Sequence, residues 1–381
     1  MLKIGLLGLG PIGNLHIDNL TSGKVKDCEL TCVCDTRKVE NEKIAHLPFF
    51  DKLEDLLEKG GVDAVILATP SFTHFELAKK VLEAGKHVLV EKPIALCTQD
   101  ALELDKLSKK VGKICAVMLN QRTTPLYKRI RELVKSGQVG KIRRVSWNMT
   151  NWFRPQIYFD MSPWRGLWMG EAGGVLINQA IHNIDAFAWI LGLPESLRAW
   201  CKFGKYHDIE VEDEVTCFMS YPDDMTATFI TSSGEHPGTN RFEISGDKMY
   251  LVAEDNKLKI YEIKDGGMAD FTKNTRYAFG TPETELRIEE FEGKGEQHAG
   301  VLNNFVQSCL GKAKCEYSAM QGYLSLCLVN AMLLSSFTNA EVKIPFDDAA
   351  YKRILEEKQA KSKPRENVRR DALIDFAKSF R

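Results

Sequence analysis

The stretch "LKIGLLGLGPIGNLHIDNL" at residues 2–20 decides the fold of the first part of the chain. An apolar run typical of a buried strand ends in a glycine-rich turn, and a helical pattern follows. In this order Gly8 can make the tight turn, Gly10 lets a pyrophosphate approach the backbone, and Gly13 lets the helix and the strand pack closely. The helix N-terminus then offers free N–H groups and its positive dipole to the phosphates. The stretch therefore predicts a dinucleotide-binding turn.

The alternation of strand and helix patterns continues as far as residue 122. Strand-like runs recur at 28–35, 62–70, 87–93 and 114–122, and stretches with helical spacing lie between them. Nearly continuous apolar strands separated by amphipathic helices are typical of a parallel sheet covered on both faces. We predict an α/β Rossmann domain, a doubly wound parallel sheet, over residues 1–122.

The pattern changes beyond residue 122. After one helical stretch at 125–137, strand candidates with polar and apolar residues in alternation dominate, which suits an antiparallel sheet with one exposed face. We predict an α+β domain over residues 123–355, with a large, mostly antiparallel open sheet and helices near 173–192 and 298–338. Residues 356–381 are charged and are predicted to form a solvated tail or a docking helix, with an amphipathic pattern around Ala372, Leu373, Phe376 and Phe380.

The composition excludes several classes of partner. Lys and Arg total 51 against 52 for Asp and Glu, a net charge of -1, so the chain lacks the basic field that nucleic acid or an anionic membrane needs. No apolar run approaches the ~20 residues of a membrane span, and Met1-Leu2-Lys3 leads straight into a strand pattern rather than a signal peptide. We expect a cytoplasmic protein that binds neither nucleic acid nor membrane. The cysteines and histidines show no spacing suited to zinc, so no metal site is predicted.

An acidic residue follows the second predicted strand. Asp35 comes 22 positions after Gly13, where a carboxylate can accept hydrogen bonds from a ribose 2′-hydroxyl. This favours NAD, because the carboxylate would repel a 2′-phosphate. Arg37 and Lys38 lie close by and could attract such a phosphate, so NADP stays possible.

The ends of the other parallel strands are expected to line the same cleft. Ligands of doubly wound sheets sit beyond the carboxyl ends of the strands, where this sequence has 69–71, 91–93 and 120–122. Lys92 lies just beyond the four strand residues at 87–90, after Glu91, and precedes Pro93, which restricts its backbone to extended conformations and keeps it facing the cleft. A partly desolvated amine beside a nicotinamide could have the lowered pKa suited to moving a substrate proton.

The nucleotide fold, the E-K-P triplet at 91–93 and "GGVLINQAIHNIDAFAWILG" at 173–192 together resemble the Gfo/Idh/MocA family of NAD(P)-dependent sugar and cyclitol oxidoreductases. The resemblance extends to about residue 355. It implies that Lys92 contacts both the substrate hydroxyl and the cofactor. It also implies a helix with an acid followed four positions later by a histidine, and here Asn178, His182 and Asp185 occupy the positions of that pattern.

The residues themselves support a polar face on this predicted helix. Positions 178, 182 and 185 are three and four apart, so their side chains would share one face of an otherwise apolar helix. Such a face either forms hydrogen bonds in the core or lines a polar cleft. Asn178 departs from the family pattern, because an amide can orient a hydroxyl or the His182 ring but cannot act as a base. The acid–base role then falls on Lys92 or His182, and the sequence leaves open which of the two takes the proton.

An aromatic segment precedes the predicted helix. "NWFRPQIYFDMSPWRGLW" at 151–168 mixes aromatic rings, which suit the C–H surface of a sugar, with Arg154 and Arg165, whose guanidinium groups suit hydroxyls, a carboxylate or phosphates. An aromatic-rich core loop is the alternative. The resemblance implies that the W-R pair, Trp164 and Arg165, reaches the nicotinamide end of the cofactor.

The sequence thus predicts reversible hydride transfer between a nicotinamide and a carbon bearing a secondary hydroxyl on a sugar, sugar derivative or inositol-like cyclitol. The alternatives are an NAD-dependent glycosidase that oxidises the ring transiently, and a non-catalytic nucleotide-binding sensor or scaffold. A homodimer or homotetramer is expected, because the open sheet needs covering. Lys92 and His182 are the predicted catalytic residues, and substrate binding is assigned to Lys92, Arg154, Trp164, Asn178, His182 and Asp185. Cofactor binding is assigned to Gly8, Gly10, Pro11, Ile12, Gly13, Asp35, Arg37, Thr69, Pro70, His74, Glu91, Lys92, Gln121 and Arg165.

Overall fold

A computed structural model of the chain describes residues 1–264, 266–366 and 368–369. The strands are β1 Leu2–Leu7, β2 Cys28–Cys34, β3 Phe49–Phe50, β4 Ala64–Leu67, β5 His87–Val90, β6 Cys115–Val117, β7 Ile142–Met149, β8 Ser196–Phe203, β9 Glu212–Ser220, β10 Thr226–Ser232, β11 Asn240–Gly246, β12 Met249–Glu254, β13 Lys257–Ile263, β14 Thr284–Glu290 and β15 Val342–Lys343. The α-helices are α1 Pro11–Thr21, α2 Leu53–Lys59, α3 His74–Glu83, α4 Thr98–Val111, α5 Pro125–Lys135, α6 Gln156–Asp160, α7 Trp168–Glu171, α8 Ile181–Leu191, α9 Met268–Asn274, α10 Gln297–Cys309, α11 Ala319–Thr338 and α12 Asp348–Lys361.

The first unit is built on a six-stranded parallel sheet in the order β3-β2-β1-β4-β5-β6. The central strands β4 and β5 are almost entirely buried, as nearly continuous apolar sequences require when helices cover both faces. The strand order reverses beside β1, between β1 and β4, which is where a doubly wound sheet opens its ligand crevice. The prediction of an α/β Rossmann fold is confirmed.

The second unit is built on a nine-stranded sheet in the order β14-β13-β12-β11-β7-β10-β9-β8-β15. All neighbouring pairs are antiparallel except β7 with β10. One face packs on helices around Trp147, whose ring stacks on Phe242 with centroids 4.3 Å apart. The opposite face leaves Trp200 and Phe218 partly exposed, so the predicted mostly antiparallel, open sheet is confirmed. Strands β8 and β13 to β15 were not predicted from the sequence.

The two units are not two unbroken segments of the chain. The first contains Met1–Thr123, Glu296–Cys327 and Asp348–Arg353, and the second contains Thr124–Gly295, Leu328–Asp347 and the described residues from Ile354 onward. The predicted boundary at residue 122 lies next to the end of the first segment. Within the predicted domain 123–355, however, part of the chain returns to the first unit, because Val117 N–H donates to Tyr317 O (2.8 Å) at the edge of the parallel sheet.

Two further differences concern helices. The helix predicted over 173–192 begins only at Ile181, because residues 174–180 form a wide turn in which Ala180 N–H donates to Val175 O (2.7 Å). In the predicted charged tail, residues 356–361 complete α12, and the pattern around Ala372 to Phe380 lies outside the described residues. In the part of the chain that the structure describes, α11 alone is long and apolar enough to cross a membrane, and 67% of its apolar window is buried, as in a core helix.

Candidate functional site

The glycine turn has the geometry that the sequence predicts. Gly8 has a φ of +96°, and a Cβ there would lie 2.5 Å from Ala68 O. A Cβ on Gly13 would lie 2.0 Å from Gly8 O, so only glycine lets α1 pack this closely on β1. A Cβ on Gly10, by contrast, would meet no atom within 4 Å. No side chain caps the N-terminus of α1, whose first residues are Pro11 and Ile12.

Asp35 supports the glycine turn from the end of β2. Its Oδ2 accepts the N–H of Leu9 (2.7 Å), and its Oδ1 accepts the N–H of Arg37 (3.0 Å). Oδ1 also accepts the Thr36 hydroxyl (3.4 Å), whereas Oδ2 keeps a second lone pair to which a ribose hydroxyl can donate. An uncapped helix N-terminus, an unobstructed edge at Gly10 and an acid beside the turn fit a dinucleotide. When bound, NAD would supply the hydride acceptor.

The loops after β4 and β5 are braced by His74 rather than left open. Its ring is buried, with Nδ1 lying 2.6 Å from Pro93 O and Nε2 lying 2.9 Å from Thr69 O. Burial lowers the pKa of His74. Because both ring nitrogens lie against backbone oxygens, His74 positions the loops that carry Thr69 and Pro70, and its contact with the cofactor stays a prediction.

Glu91 lies in a buried cluster with two histidines. His16 Nε2 on α1 is 2.8 Å from Glu91 Oε1, and His298 Nε2 on α10 is 3.8 Å from the same oxygen. Burial opposes ionisation of Glu91, but the hydrogen bond from His16 and the charges of His16, His298 and Lys92 outweigh it and lower its pKa to about 2. The Glu91 carboxylate therefore anchors the start of the E-K-P turn inside the first unit, and its contact with the cofactor stays a prediction.

Lys92 follows that anchored residue and is half-buried, and the peptide bond between Lys92 and Pro93 is cis. The strand end after β6 is also held, because Asn120 Nδ2 donates to Gln297 Oε1 (2.7 Å). Gln121 lies beside it and is half-buried. The structure thus brings the ends of β1, β2, β4, β5 and β6 to one edge of the parallel sheet, as predicted.

In the second unit, a buried carboxylate organises the turn that precedes α8. Glu212 Oε1, at the start of β9, accepts the N–H groups of Gly174 (2.8 Å) and Leu176 (3.1 Å). Glu212 is 0% exposed, and its Oε2 has no hydrogen-bond partner among the described residues. Burial, outweighing these hydrogen bonds, raises the pKa of Glu212 to about 7. The turn that carries Asn178 is therefore held by a carboxyl group that becomes protonated, and so uncharged, near neutral pH.

Asn178 is oriented by two side chains from the preceding segment. Its Nδ2 donates to Glu171 Oε1 and to the hydroxyl of Tyr158 (3.3 Å), which also lies 3.4 Å from Gln179 Nε2. A carboxylate only accepts hydrogen bonds, so the Asn178 amide must direct its nitrogen toward Glu171. Asn178 lies before α8 and not within it, which corrects the expectation that residues 178, 182 and 185 share a helix face. An acid nevertheless contacts this position, because Glu171 supplies the charge that Asn178 lacks.

Two arginines meet at one aromatic ring. The guanidinium carbon of Arg165 lies 4.3 Å from the centre of the Tyr158 ring, and that of Arg154 lies 5.3 Å from it. Arg165 also lies over Trp164 (5.3 Å), and its Nε is 3.9 Å from Glu171 Oε1. Two guanidinium groups beside one tyrosine form a site suited to an anionic or hydroxyl-rich group.

The remaining predicted residues lie on α8. His182 is half-buried one residue after the helix begins, whereas Asp185 is only 1% exposed. His182 belongs to the second unit and Lys92 to the first. In the described parts of the chain, no group of three His, Cys, Asp or Glu side chains is arranged to hold a metal ion.

Sequence reasoning missed four residues that shape these sites, namely His16, Glu171, Glu212 and His298. A signal existed for His16, which follows Gly13 by three positions and so faces the sheet from the second turn of α1. The other three lie in stretches without a motif. Their roles arise from contacts between residues that are distant in sequence, except for Glu171 and Asn178, which are seven positions apart.

Comparison with known proteins agrees with this geometry. Residues 2–119 match the GFO_IDH_MocA family model, described as an oxidoreductase family with an NAD-binding Rossmann fold, and residues 127–252 match the GFO/IDH/MocA C-terminal domain. The scyllo-inositol 2-dehydrogenase (NAD(+)) of Bacillus subtilis is 30% identical over 50% of this chain and 54% of its own length. This chain therefore spans about half the length of that relative. The D-glucoside 3-dehydrogenase of Escherichia coli is 28% identical over 90% of this chain and 97% of its own length.

A solved structure is similar over most of the chain. The WlbA dehydrogenase from Bordetella pertussis, in complex with NADH and UDP-GlcNAcA, has a TM-score of 0.74 and 26% identity and covers 91% of this chain and 99% of its own. The resemblance stated from the sequence is confirmed, and with it, at the level of the family, the predictions of an oxidoreductase and of NAD as its cofactor. The glycine turn, the acid after β2 and the two matched domains place the chain in one group: it belongs to the GFO_IDH_MocA family of NAD-binding oxidoreductases.

Proposed function

We propose that this protein catalyses reversible hydride transfer between C4 of a nicotinamide and a carbon bearing a secondary hydroxyl on a sugar, sugar derivative or inositol-like cyclitol. The first unit would be the dinucleotide-binding domain, and the second would bind substrate and form the oligomer interface. Named dehydrogenases for inositol and for a glucoside among the relatives support this substrate class.

The observation that carries the proposal is the polar cluster before α8. Glu171 and Tyr158 hold the Asn178 amide in one orientation, beside a ring over which the guanidinium groups of Arg154 and Arg165 lie. Fixed polar groups next to aromatic faces are what a hydroxyl-rich ring requires, since its edges form hydrogen bonds and its C–H surface packs on rings.

We assign the proton chemistry to Lys92 and His182, as the family resemblance implies. In the oxidation direction they would remove the hydroxyl proton, and in reduction they would return it. Asn178 cannot take a proton, so it would orient the hydroxyl. The Glu91 cluster would fix the position of Lys92, because the carboxylate that precedes it is held by His16 on a different element.

The two arginines favour substrates with an anionic group. Arg154 and Arg165 both lie over the Tyr158 ring, so a carboxylate or phosphate bound beside that ring would have charged donors within reach. A sugar acid or a sugar nucleotide fits this arrangement. The WlbA structure contains a ligand of that kind, UDP-GlcNAcA, together with NADH.

The test is a spectrophotometric screen of hexoses, uronic acids, amino sugars, sugar nucleotides and inositols, with NAD and NADP in parallel. We expect NADH formation with members of one of these classes, with NAD preferred over NADP because Asp35 would repel a 2′-phosphate. Release of an aglycone without net NADH would instead indicate the glycosidase. Cofactor binding without turnover of any compound would indicate a sensor or scaffold.

We also propose a homodimer or homotetramer that covers the open sheet of the second unit. Trp200 on β8 and Phe218 on β9 are 49% and 43% exposed and lie on the same face, close together across the strand pair. Light scattering on the purified protein measures the subunit number. A monomer at micromolar concentration would contradict the proposal, and a cytoplasmic location stays a prediction.

A further inference from the structure

The described C-terminal residues pack on the aromatic segment that carries the candidate substrate residues. We define the C-terminal segment as residues 358–366 with 368 and 369. Its backbone is paired at two points, since Arg365 N–H donates to Pro163 O (3.0 Å) and Arg369 N–H donates to Asp160 O (2.9 Å). Two backbone hydrogen bonds to one short stretch fix the direction in which the segment crosses it.

Side chains anchor the start of the C-terminal segment. Lys358 Nζ lies over the rings of Phe337 (4.3 Å), Trp168 (5.0 Å) and Phe203 (5.6 Å). Four residues later, Ser362 donates a hydrogen bond to Glu210 Oε2, which also accepts the N–H of Trp168 (3.1 Å). The start of the segment is therefore held where the aromatic segment ends.

Arg365 makes the central contact. Its Nη1 lies 3.2 Å from Asp160 Oδ1, and its Nη2 donates to Asp208 O. The Arg365 side chain is 15% exposed and the Asp160 side chain 25%, so water screens this ion pair only in part. Asp160 Oδ1 also accepts Gln156 Nε2 (2.9 Å) from the first residue of α6. Arg365 thus pairs with Asp160, the last residue of the one-turn helix α6. The Asp160 carboxylate also links the two ends of this helix through Gln156.

The same short helix carries the tyrosine at the centre of the candidate site. Tyr158 lies two positions before Asp160, contacts Asn178 through its hydroxyl and supports both arginines on its ring. A helix of five residues has little stability of its own and takes its position from its contacts. Movement of α6 would therefore displace Tyr158 and the groups that it orients.

We propose that Arg365 is a positioning residue: through Asp160 it holds α6, and with it the Tyr158 ring, in the arrangement that binds substrate. This role in binding rests on the proposed function, whereas the ordering of α6 does not. A residue beyond the matched family domains thereby determines how well the site is formed.

Hydrogen exchange measured by mass spectrometry on the full chain tests the ordering directly. In Arg365→Ala we expect amides of residues 151–168 to exchange at least about fivefold faster. The variant loses a charge-assisted hydrogen bond that disfavours local unfolding of this stretch. Asp160→Asn, which keeps the side-chain shape, should act in the same direction, and Arg365→Lys should restore part of the protection. Lys363→Ala removes a charge from an exposed residue two positions away and is the matched control.

The catalytic readout follows with the substrate that the screen identifies. We expect Arg365→Ala to raise KM about tenfold while kcat and the affinity for NADH stay within about twofold, since α6 serves substrate binding. The inference would be overturned if residues 151–168 exchanged at the wild-type rate in both Arg365→Ala and Asp160→Asn. It would also be overturned if peptides from β9 showed the same increase in exchange rate as residues 151–168. Faster exchange with an unchanged KM would refute the role in binding. If no compound is turned over, the proposed function fails and the exchange result still decides whether Arg365 holds α6.

Discussion

Replacing Glu212 with Gln should make the protein more stable at neutral and alkaline pH but not at acidic pH. Glu212 Oε1 accepts two backbone N–H groups, and its buried Oε2 has no partner in the described structure. A glutamine keeps the accepting oxygen and, like the protonated acid, places a neutral donor at the other position. The variant therefore imitates the uncharged form at every pH.

The magnitude follows from the pKa of the folded state. Burial raises the pKa of Glu212 from 4.5 to about 7, so the native state holds its proton over a range in which the unfolded chain has released it. This contribution to stability is fully present below pH 4.5 and is lost as the pH rises through 7. Complete loss amounts to about 3 kcal/mol, which corresponds to a change in Tm of roughly 5–10 °C for a unit of this size.

The assay is thermal unfolding of wild type and Glu212→Gln between pH 4.5 and pH 8.5. The difference in Tm should be small at pH 4.5, grow up to pH 7 and then level off. Glu195→Gln, which removes an exposed carboxyl group just before β8, controls for the loss of one charge. A difference in Tm that is the same at both ends of the range would refute the reasoning, because it would mean that Glu212 is ionised, or neutral, throughout.

Three further predictions concern the cofactor and substrate residues. Lys92→Ala should lower kcat roughly 10²–10⁴-fold with NADH binding, measured by fluorescence, largely preserved, and near-normal turnover would remove Lys92 from the mechanism. Gly13→Ala should destabilise the first unit by about 2 kcal/mol or more, because its Cβ would lie 2.0 Å from Gly8 O, whereas Gly10→Ala should keep the wild-type Tm and weaken NADH binding; equal Tm values for the two variants would contradict the packing argument. Arg165→Ala should raise KM for anionic sugars about tenfold and leave KM for neutral ones nearly unchanged, and an equal rise for both would show that the guanidinium does not select charge.

Much of the fold could be predicted because its signals are local. Glycines at positions 8, 10 and 13 after an apolar strand specify a turn whose contacts lie within a few residues, and a Cβ at Gly13 would clash with Gly8 itself. Apolar strand sequences likewise predicted the parallel sheet, since burial on both faces leaves no alternation. Strand β14 was not predicted because it is exposed along nearly its whole length. Without a buried face, its sequence contains too few apolar residues to indicate a strand.

For the candidate site, the sequence predicted several of the residues but not how they are arranged. Asn178, Arg154 and Arg165 were identified from the sequence, and the structure brings all three to Tyr158. The helix predicted around Asn178 was wrong at its start, because Glu212 binds the N–H groups of Gly174 and Leu176 and holds this stretch as a turn. Glu212 lies 38 positions after Gly174, so the residue pattern around the turn does not show that this carboxylate stabilises it.

The sequence by itself determined the dinucleotide turn, the residues at the carboxyl ends of the parallel strands and the family, because these depend on residue types at short, fixed spacings. Only the tertiary structure decided what surrounds them: His16 and His298 beside one oxygen of Glu91, and Arg365 beside Asp160. The physical reason is that a buried charge takes whichever partner the packing of distant elements brings within hydrogen-bond reach, and sequence spacing does not record that distance.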